Sequence, residues 1–226
     1  MMSEMRGITF IDIASGASKH TANDWDLIMS EKAIGYPAPR IKKVDMTDRD
    51  GELDQSEVMR GRVSYKNRAL SFSFICTANR ATWADLRAEM AGFIHGKRLM
   101  IVDPDTPNHY YVGRCEFAEP SYKGEAIMFL TVLVDADPYR LSTSETAVSK
   151  SVSAGTTVSL INSTMPVVPT ITVSANMTIT FGNFSASLVS GSTYRIPEIT
   201  LENGVNTIGI TTGSGTITFT YRQGAI

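Results

Sequence analysis

The segment DMTDRDGELDQSE at 45–57 carries six carboxylates, Asp45, Asp48, Asp50, Glu52, Asp54 and Glu57, against Arg49 alone. Clustered carboxylates can hold calcium. A helix-flanked calcium loop needs its oxygens in a fixed order around a sharp-turn glycine, and this segment does not follow that order. Asp50-Gly51 is a two-residue hairpin signal. In a lone monomer the segment reads as a solvated hairpin tip, because like charges crowded together do not favour a compact fold.

The other residues able to do chemistry are scattered. His20, His95 and His109 lie far from one another, and none sits at metal-ligand spacing from a Cys or a second His. They read as helix-end or turn residues. Asp103 and Asp105, then Asp135 and Asp137, form pairs beside Pro104 and Pro138, where Asp commonly caps local backbone. No nucleophile elbow, phosphate-binding glycine loop or H-E-x-x-H is present. GSG at 213–215 reads as a turn between strands. An enzyme is not expected, nor are a cofactor and a catalytic or metal site. Cys76 and Cys115 sit in strand-like patterns and read as buried reduced thiols.

Sugar binding is a second possibility, because small β-sandwiches often bind saccharides. Such sites use exposed aromatic platforms. Phe181, Phe184, Tyr194, Phe219 and Tyr221 are available towards the C-terminus, without a Trp. Phe181, Phe219 and Tyr221 alternate along strand-like runs, which points to a core.

The elements that would position these residues follow from periodicity. GITFIDI (7–13), RIKKVDM (40–46), the region 62–76, KRLMIVD (97–103), HYYVGRCEFAE (109–119) and GEAIMFLTVLVDA (124–136) read as strands. ASGASKHTAND (14–24) reads as a loop, and Pro37 and Pro39 interrupt the stretch after Trp25. One helix is expected over 82–95. Thr82 would be its N-cap with Asp85 completing a capping-box pattern, and Trp83, Leu86, Met90, Phe93 and Ile94 share one face before the stop at Gly96.

Charge divides the chain. All but six of its Asp, Glu, Lys and Arg residues precede position 141, and the remaining 86 positions hold 30 Ser and Thr. The break follows DADPYR (135–140). It predicts a mainly β protein with a charged, strand-rich domain at 1–140 that includes the helix, a connection at 141–155 and an antiparallel β-sandwich at 156–226. Runs at 157–161, 169–173, 177–181, 199–201, 206–211 and 215–222 are the expected strands of the second domain. Net charge is −2, which suggests neither nucleic acid nor membrane as a partner. The longest apolar runs, such as FLTVLV (129–134), are too short to span a bilayer, and the first residues do not resemble a secretory signal.

Taken in order, the motifs resemble the distal tail (Dit) family of phages with long non-contractile tails. The likeness runs through GITFIDI, DWDLIMSEKAIGYPAP (24–39), DRDGELD (48–54), GRVSYKNRALSFSF (61–74), WADLRAEMAGFIHGK (83–97) and DADPYR. It continues through PEITLENGVNTIGITTGSGTITFTYRQGAI (197–226), read as a turn, a Gly-rich hairpin and a final Tyr-Arg strand. The resemblance implies a ring-forming N-terminal β-sandwich or barrel with one helix and a protruding hairpin, plus a galectin-like C-terminal sandwich. It implies a homohexameric hub at the virion tail tip, assembled in the host cytoplasm, with DNA passing through its centre. Implied partners are further copies of itself, the tail tube protein, the tail-associated lysin or tip protein, and receptor-binding or baseplate proteins. No sequence-specific nucleic acid is expected. The alternative is a module recognising host saccharides through its C-terminal domain. Within the ring reading, Asp48, Arg49, Asp50, Glu52, Asp54, Arg60 and Arg62 are the candidate interface residues, with Lys42 and Lys43 as further cations able to meet a neighbour's acids.

Overall fold

Alternation builds the first unit. In RALSFSFIC, Leu70, Phe72, Phe74 and Cys76 fall on one side at period two and are buried, while Ala69, Ser71, Ser73 and Ile75 take the other side. The structure, a computed structural model, describes residues 7–48, 50–58 and 61–226. The chain divides into two units, Met1–Pro138 and Tyr139–Ile226. No helix among the described residues is long and apolar enough to cross a membrane.

The first unit contains β1 (Thr9–Asp12), β2 (Ser18–His20), β3 (Ile28–Ile34), β4 (Lys43–Val44), β5 (Leu53–Asp54), β6 (Arg68–Cys76), α1 (Trp83–Ile94), β7 (Arg98–Val102), β8 (His109–Phe117), β9 (Ser121–Lys123) and β10 (Ile127–Ala136). One antiparallel sheet runs in the order β2-β1-β7-β8-β10-β6-β3, with β9 on β10, and β4 pairs with β5 separately. Phe10 on β1 and Phe72 on β6 stand four strand steps apart in that order. A flat sheet would separate them by about 19 Å. Their rings meet edge to face at 6.4 Å, so the sheet curls back on itself around its core. Helix α1 joins the same core through Trp83, Met90 and Ile94, with Leu86 and Phe93 packed against it.

The helix begins differently from its expected capping box. Thr82 makes no side-chain cap bond; its hydroxyl donates to Asn79 O. Asn79 instead caps a short 3-10 turn, its side chain accepting from Ala81 N at 3.0 Å. Gly96 ends the helix as expected, at φ 74°, and its N–H donates to Cys115 O.

Four sequence readings of this unit are corrected. Residues 14–24 contain β2, and the segment after Trp25 contains β3, a full edge strand. The pairing of β3 with β6 slips between Met29 and Glu31, so its inward residues, Met29, Lys32 and Ile34, break period two. The strand expected over 40–46 is only Lys43–Val44. The hairpin there closes at Val44↔Leu53, so Asp50-Gly51 lies within a longer loop rather than forming a two-residue turn.

The second unit contains β11 (Arg140–Ser142), β12 (Thr146–Ser153), β13 (Thr157–Asn162), β14 (Thr170–Val173), β15 (Met177–Phe181), β16 (Phe184–Leu188), β17 (Thr193–Arg195), β18 (Gly204–Thr212), β19 (Ser214–Tyr221) and β20 (Gly224–Ala225). Two four-stranded sheets, β12-β19-β14-β17 and β13-β18-β15-β16, supply a common apolar core that includes Leu160, Ile171, Ile179, Ile208, Ile217 and Phe219. β11 pairs with β20. The connection expected at 141–155 is largely strand: β12 pairs with β19 from Thr146↔Tyr221 to Ser153↔Ser214, and Val152 is buried. Its Ser/Thr content reflects the outward positions of an edge strand. Residues 199–201 do not form a regular strand; Ile199 and Leu201 are buried, and Leu201 makes one isolated bridge to Val167. The Gly-rich segment is a corner rather than a hairpin, because β18 and β19 belong to different sheets.

Candidate assembly surfaces

The side chains with chemical potential are used structurally. His95 Nδ1 accepts from Phe117 N at 3.1 Å, and His20 Nδ1 accepts from Asn23 N at 3.2 Å. Asp103 and Asp105 both bind the Lys32 ammonium, Asp137 pairs with Arg98, and Asp135 accepts from Asn67. Among the described residues no three His, Cys, Asp or Glu side chains are grouped to hold a metal. Cys76 and Cys115 are buried and free, and burial pushes the Cys115 thiol up to about 12.

The acidic segment sits on an arm that leaves the sheet after β3 and returns at β6. Backbone bonds tie its base: Gly35 N to Ala69 O, Lys66 N to Ala38 O, and Arg40 N to Ser64 O. Further out, Gln55 N donates to Lys42 O, and Lys42 N to Ser56 Oγ. Lys43 and Glu52 form an exposed ion pair at 2.8 Å; the hydrogen bond to Glu52 raises the Lys43 pKa. Asp54 accepts from Ser56, which holds its carboxyl below the usual range. Asp48, Asp50, Glu52 and Asp54 are all exposed and Arg62 is half-buried. Arg49 and Arg60 lie outside the described residues.

The arm also exposes apolar side chains. Tyr36 is 85% exposed, Ile41 59% and Val58 75%, with Val44 and Met46 also open. None of them enters the core of the first unit.

A second surface was not anticipated: the outer face of β3, β6, β10 and β8. Cross-strand pairing sets its rows. Ile28, Ile75 and Phe129 form one row, and Glu31, Ser73 and Thr131 the next. Ala33, Ser71, Leu133 and Glu116 follow. Ala69, Asp135, Arg114 and Arg98 form the last. A shallow cavity of about 790 Å³ runs over this face, bounded by Ala33, Gly35, Ala69, Leu133, Arg98 and Arg114. The sequence held one signal for it. FLTVLV is nearly continuous in apolar residues, as expected of a strand covered on both faces rather than one.

In the second unit the aromatic residues serve packing. Phe219 and Tyr221 are buried, and Phe181, Phe184 and Tyr194 pack against the core. Tyr194 OH accepts from Val189 N, and Tyr221 OH donates to Ile161 O.

The chain matches no family model and no curated protein. Among solved structures it is similar to the SPP1 Dit protein, described as a paradigm of the hub adsorption apparatus in phages infecting Gram-positive bacteria. That match has a TM-score of 0.62 at 19% identity and covers 95% of this chain and 98% of the other. It shows that the chain has the mainly β fold of a Dit protein. A second similar structure, from the phage p2 baseplate in its activated conformation with Sr, gives a TM-score of 0.41 at 7% identity, covering 96% and 98%.

Proposed function

We propose that this protein is a structural hub of a phage tail tip. It forms a homohexameric ring that joins the tail tube to the tip or baseplate, supports the host-adsorption proteins and leaves a central path for DNA. The observation that carries this reading is the likeness to SPP1 Dit across almost the whole of both chains. The use of the His and Asp side chains as helix-end, turn and ion-pair groups agrees with a structural role rather than an enzymatic one. The burial of Phe219 and Tyr221 favours the hub over a saccharide-binding module.

In this reading the acidic arm stands at the subunit boundary or the lumen. Asp48, Asp50, Glu52 and Asp54 have two uses there. Some meet cations of a neighbouring copy. Any that face the channel repel DNA phosphates and keep the passing genome from adhering.

Light scattering on the purified chain, with particle images, tests the proposal. A six-fold ring is the expected result. A monomer at tens of micromolar would rule out a self-assembling ring. Asp50→Lys with Asp54→Lys should weaken the ring if these acids lie between subunits; an unchanged ring would leave them only the lumen role.

A further inference from the structure

Nine large apolar side chains are exposed among the described residues of the first unit. Five, Tyr36, Ile41, Val44, Met46 and Val58, are on the arm, and two, Ile28 and Leu133, are on the outer sheet face. Exposed apolar residues are ordinary when scattered. Concentration on two surfaces is not, and such patches mark contacts. Both surfaces are open in the same chain, so neither covers the other within it.

We propose that the outer face of β3, β6, β10 and β8 is the receptor for the arm of a second copy. This rests on the ring reading and assigns the surface that the arm contacts. Arm side chains such as Ile41 and Val58 lie over the small and apolar floor formed by Ala33, Ala69, Ser71 and Leu133. The small residues matter, because they leave the cavity of about 790 Å³ into which larger side chains fit.

Charge agrees at the Ala69 end of the face. Arg114 donates to Gly96 O at 2.6 Å and pairs with no carboxylate among the described residues. Arg98 stands beside it in the register but is already paired with Asp137. On the arm, Asp45, Asp48, Asp50 and Glu57 join no ion pair among the described residues. The face also carries Asp135, Glu116 and Glu31. Asp135 already accepts from Asn67 at 3.1 Å, and Glu31 lies two rows away from Arg114. The acidic arm therefore orients towards Arg114, and the basic residues near its base, Arg40 and Lys42, meet the acidic remainder.

An arm-to-face contact is heterologous: each copy gives a different surface. Such contacts close into rings or continue as filaments, and do not stop at a symmetric dimer. That property supplies the test. Ala69→Glu with Leu133→Glu disables the face, since both positions are exposed. Ile41→Asp with Val58→Asp disables the arm. Each variant should retain its melting transition and run as a monomer of 24.6 kDa. An equimolar mixture should give a dimer and nothing larger, because one partner has an intact arm and the other an intact face. A mixture that remains monomeric would overturn the proposal, as would a face variant that still forms the wild-type ring. Those results leave the ring reading standing, whereas a monomeric wild type removes it. A second measurement is independent of lost assembly. Met46→Cys on one copy and Ala69→Cys on another should cross-link between chains in the wild-type background. Failure to cross-link in an assembled ring would also overturn the assignment.

Discussion

Lys32 Nζ on β3 lies 2.8 Å from both carboxylate oxygens of Asp103, whose side chain is only 2% exposed. Asp105 supplies a further acceptor, and Asp103 also accepts from Asp105 N. The cluster ties the edge strand that leads into the arm to the turn after β7. Burial opposes the Lys32 charge, but the hydrogen bonds to Asp103 and Asp105 outweigh it and raise its pKa. Lys32→Met leaves a buried carboxylate without its cation and should cost about 2–4 kcal/mol. Adding Asp103→Asn should recover much of that loss, which a double-mutant cycle would measure. The pH dependence has a definite sign. A raised lysine pKa stabilises the fold fully below the unfolded value of 10.5 and loses that contribution as pH rises through the folded value. Thermal melts from pH 9 to 12 should therefore show wild type approaching the double variant. Parallel curves would contradict the linkage.

The helix gives a prediction about ranking. Met90 is 0% exposed, whereas Phe93 is only partly buried, with Trp25 edge-on at 6.0 Å and the Lys97 ammonium 5.6 Å from its ring centroid. Met90→Ala should cost about 2–5 kcal/mol through the cavity it leaves. Phe93→Ala should fall at or below the low end of the range for buried aromatics, about 3 kcal/mol, since its surroundings can relax into solvent. Urea titrations would rank the two. A larger loss at Phe93 would mean that its contact with Trp25 outweighs burial.

How far the sequence could be read depended on the kind of signal. Leu70, Phe72 and Phe74 alternate cleanly, so β6 was visible, and Gly96 marked the helix end. β3 was hidden because the slip near Ser30 breaks the period and Pro37 follows closely. β12 was hidden because only Val148 and Val152 point inward among Ser and Lys. The acidic arm was visible as composition, but its loop length depends on the Val44↔Leu53 register, which Asp50-Gly51 does not reveal. The outer sheet face was least legible. Its rows combine residues from four strands, and Ile28, Ile75, Phe129 and Leu133, which break the polar pattern of a solvated face, come from three of them.

The two thiols should be chemically silent in the folded chain. Cys76 and Cys115 are both 0% exposed, and at a pKa of about 12 Cys115 holds almost no thiolate near neutral pH. A disulfide reagent at pH 8 should label neither until denaturant unfolds the first unit, when both should react together. Fast labelling of either residue in the native protein would show local opening that the packing does not suggest.

Gly213 forms the corner at which the chain passes from one sheet of the second unit to the other. Its φ is 88°, and an added Cβ would fall 2.3 Å from Asn176 O and 2.8 Å from Met177 Cβ. Two penalties combine there: a left-handed backbone that side chains rarely adopt, and a collision with backbone that has little room to move. Together they should make Gly213→Ala cost about 2–4 kcal/mol. Gly182 separates the two, because it also has a positive φ, 55°, but nothing lies within 4 Å of its added Cβ. Gly182→Ala should cost only about 1–2 kcal/mol, the backbone part alone. Calorimetry of both variants would measure the difference, with the loss expected in the transition of the second unit. Equal losses would mean that the corner yields and that conformation alone requires glycine there.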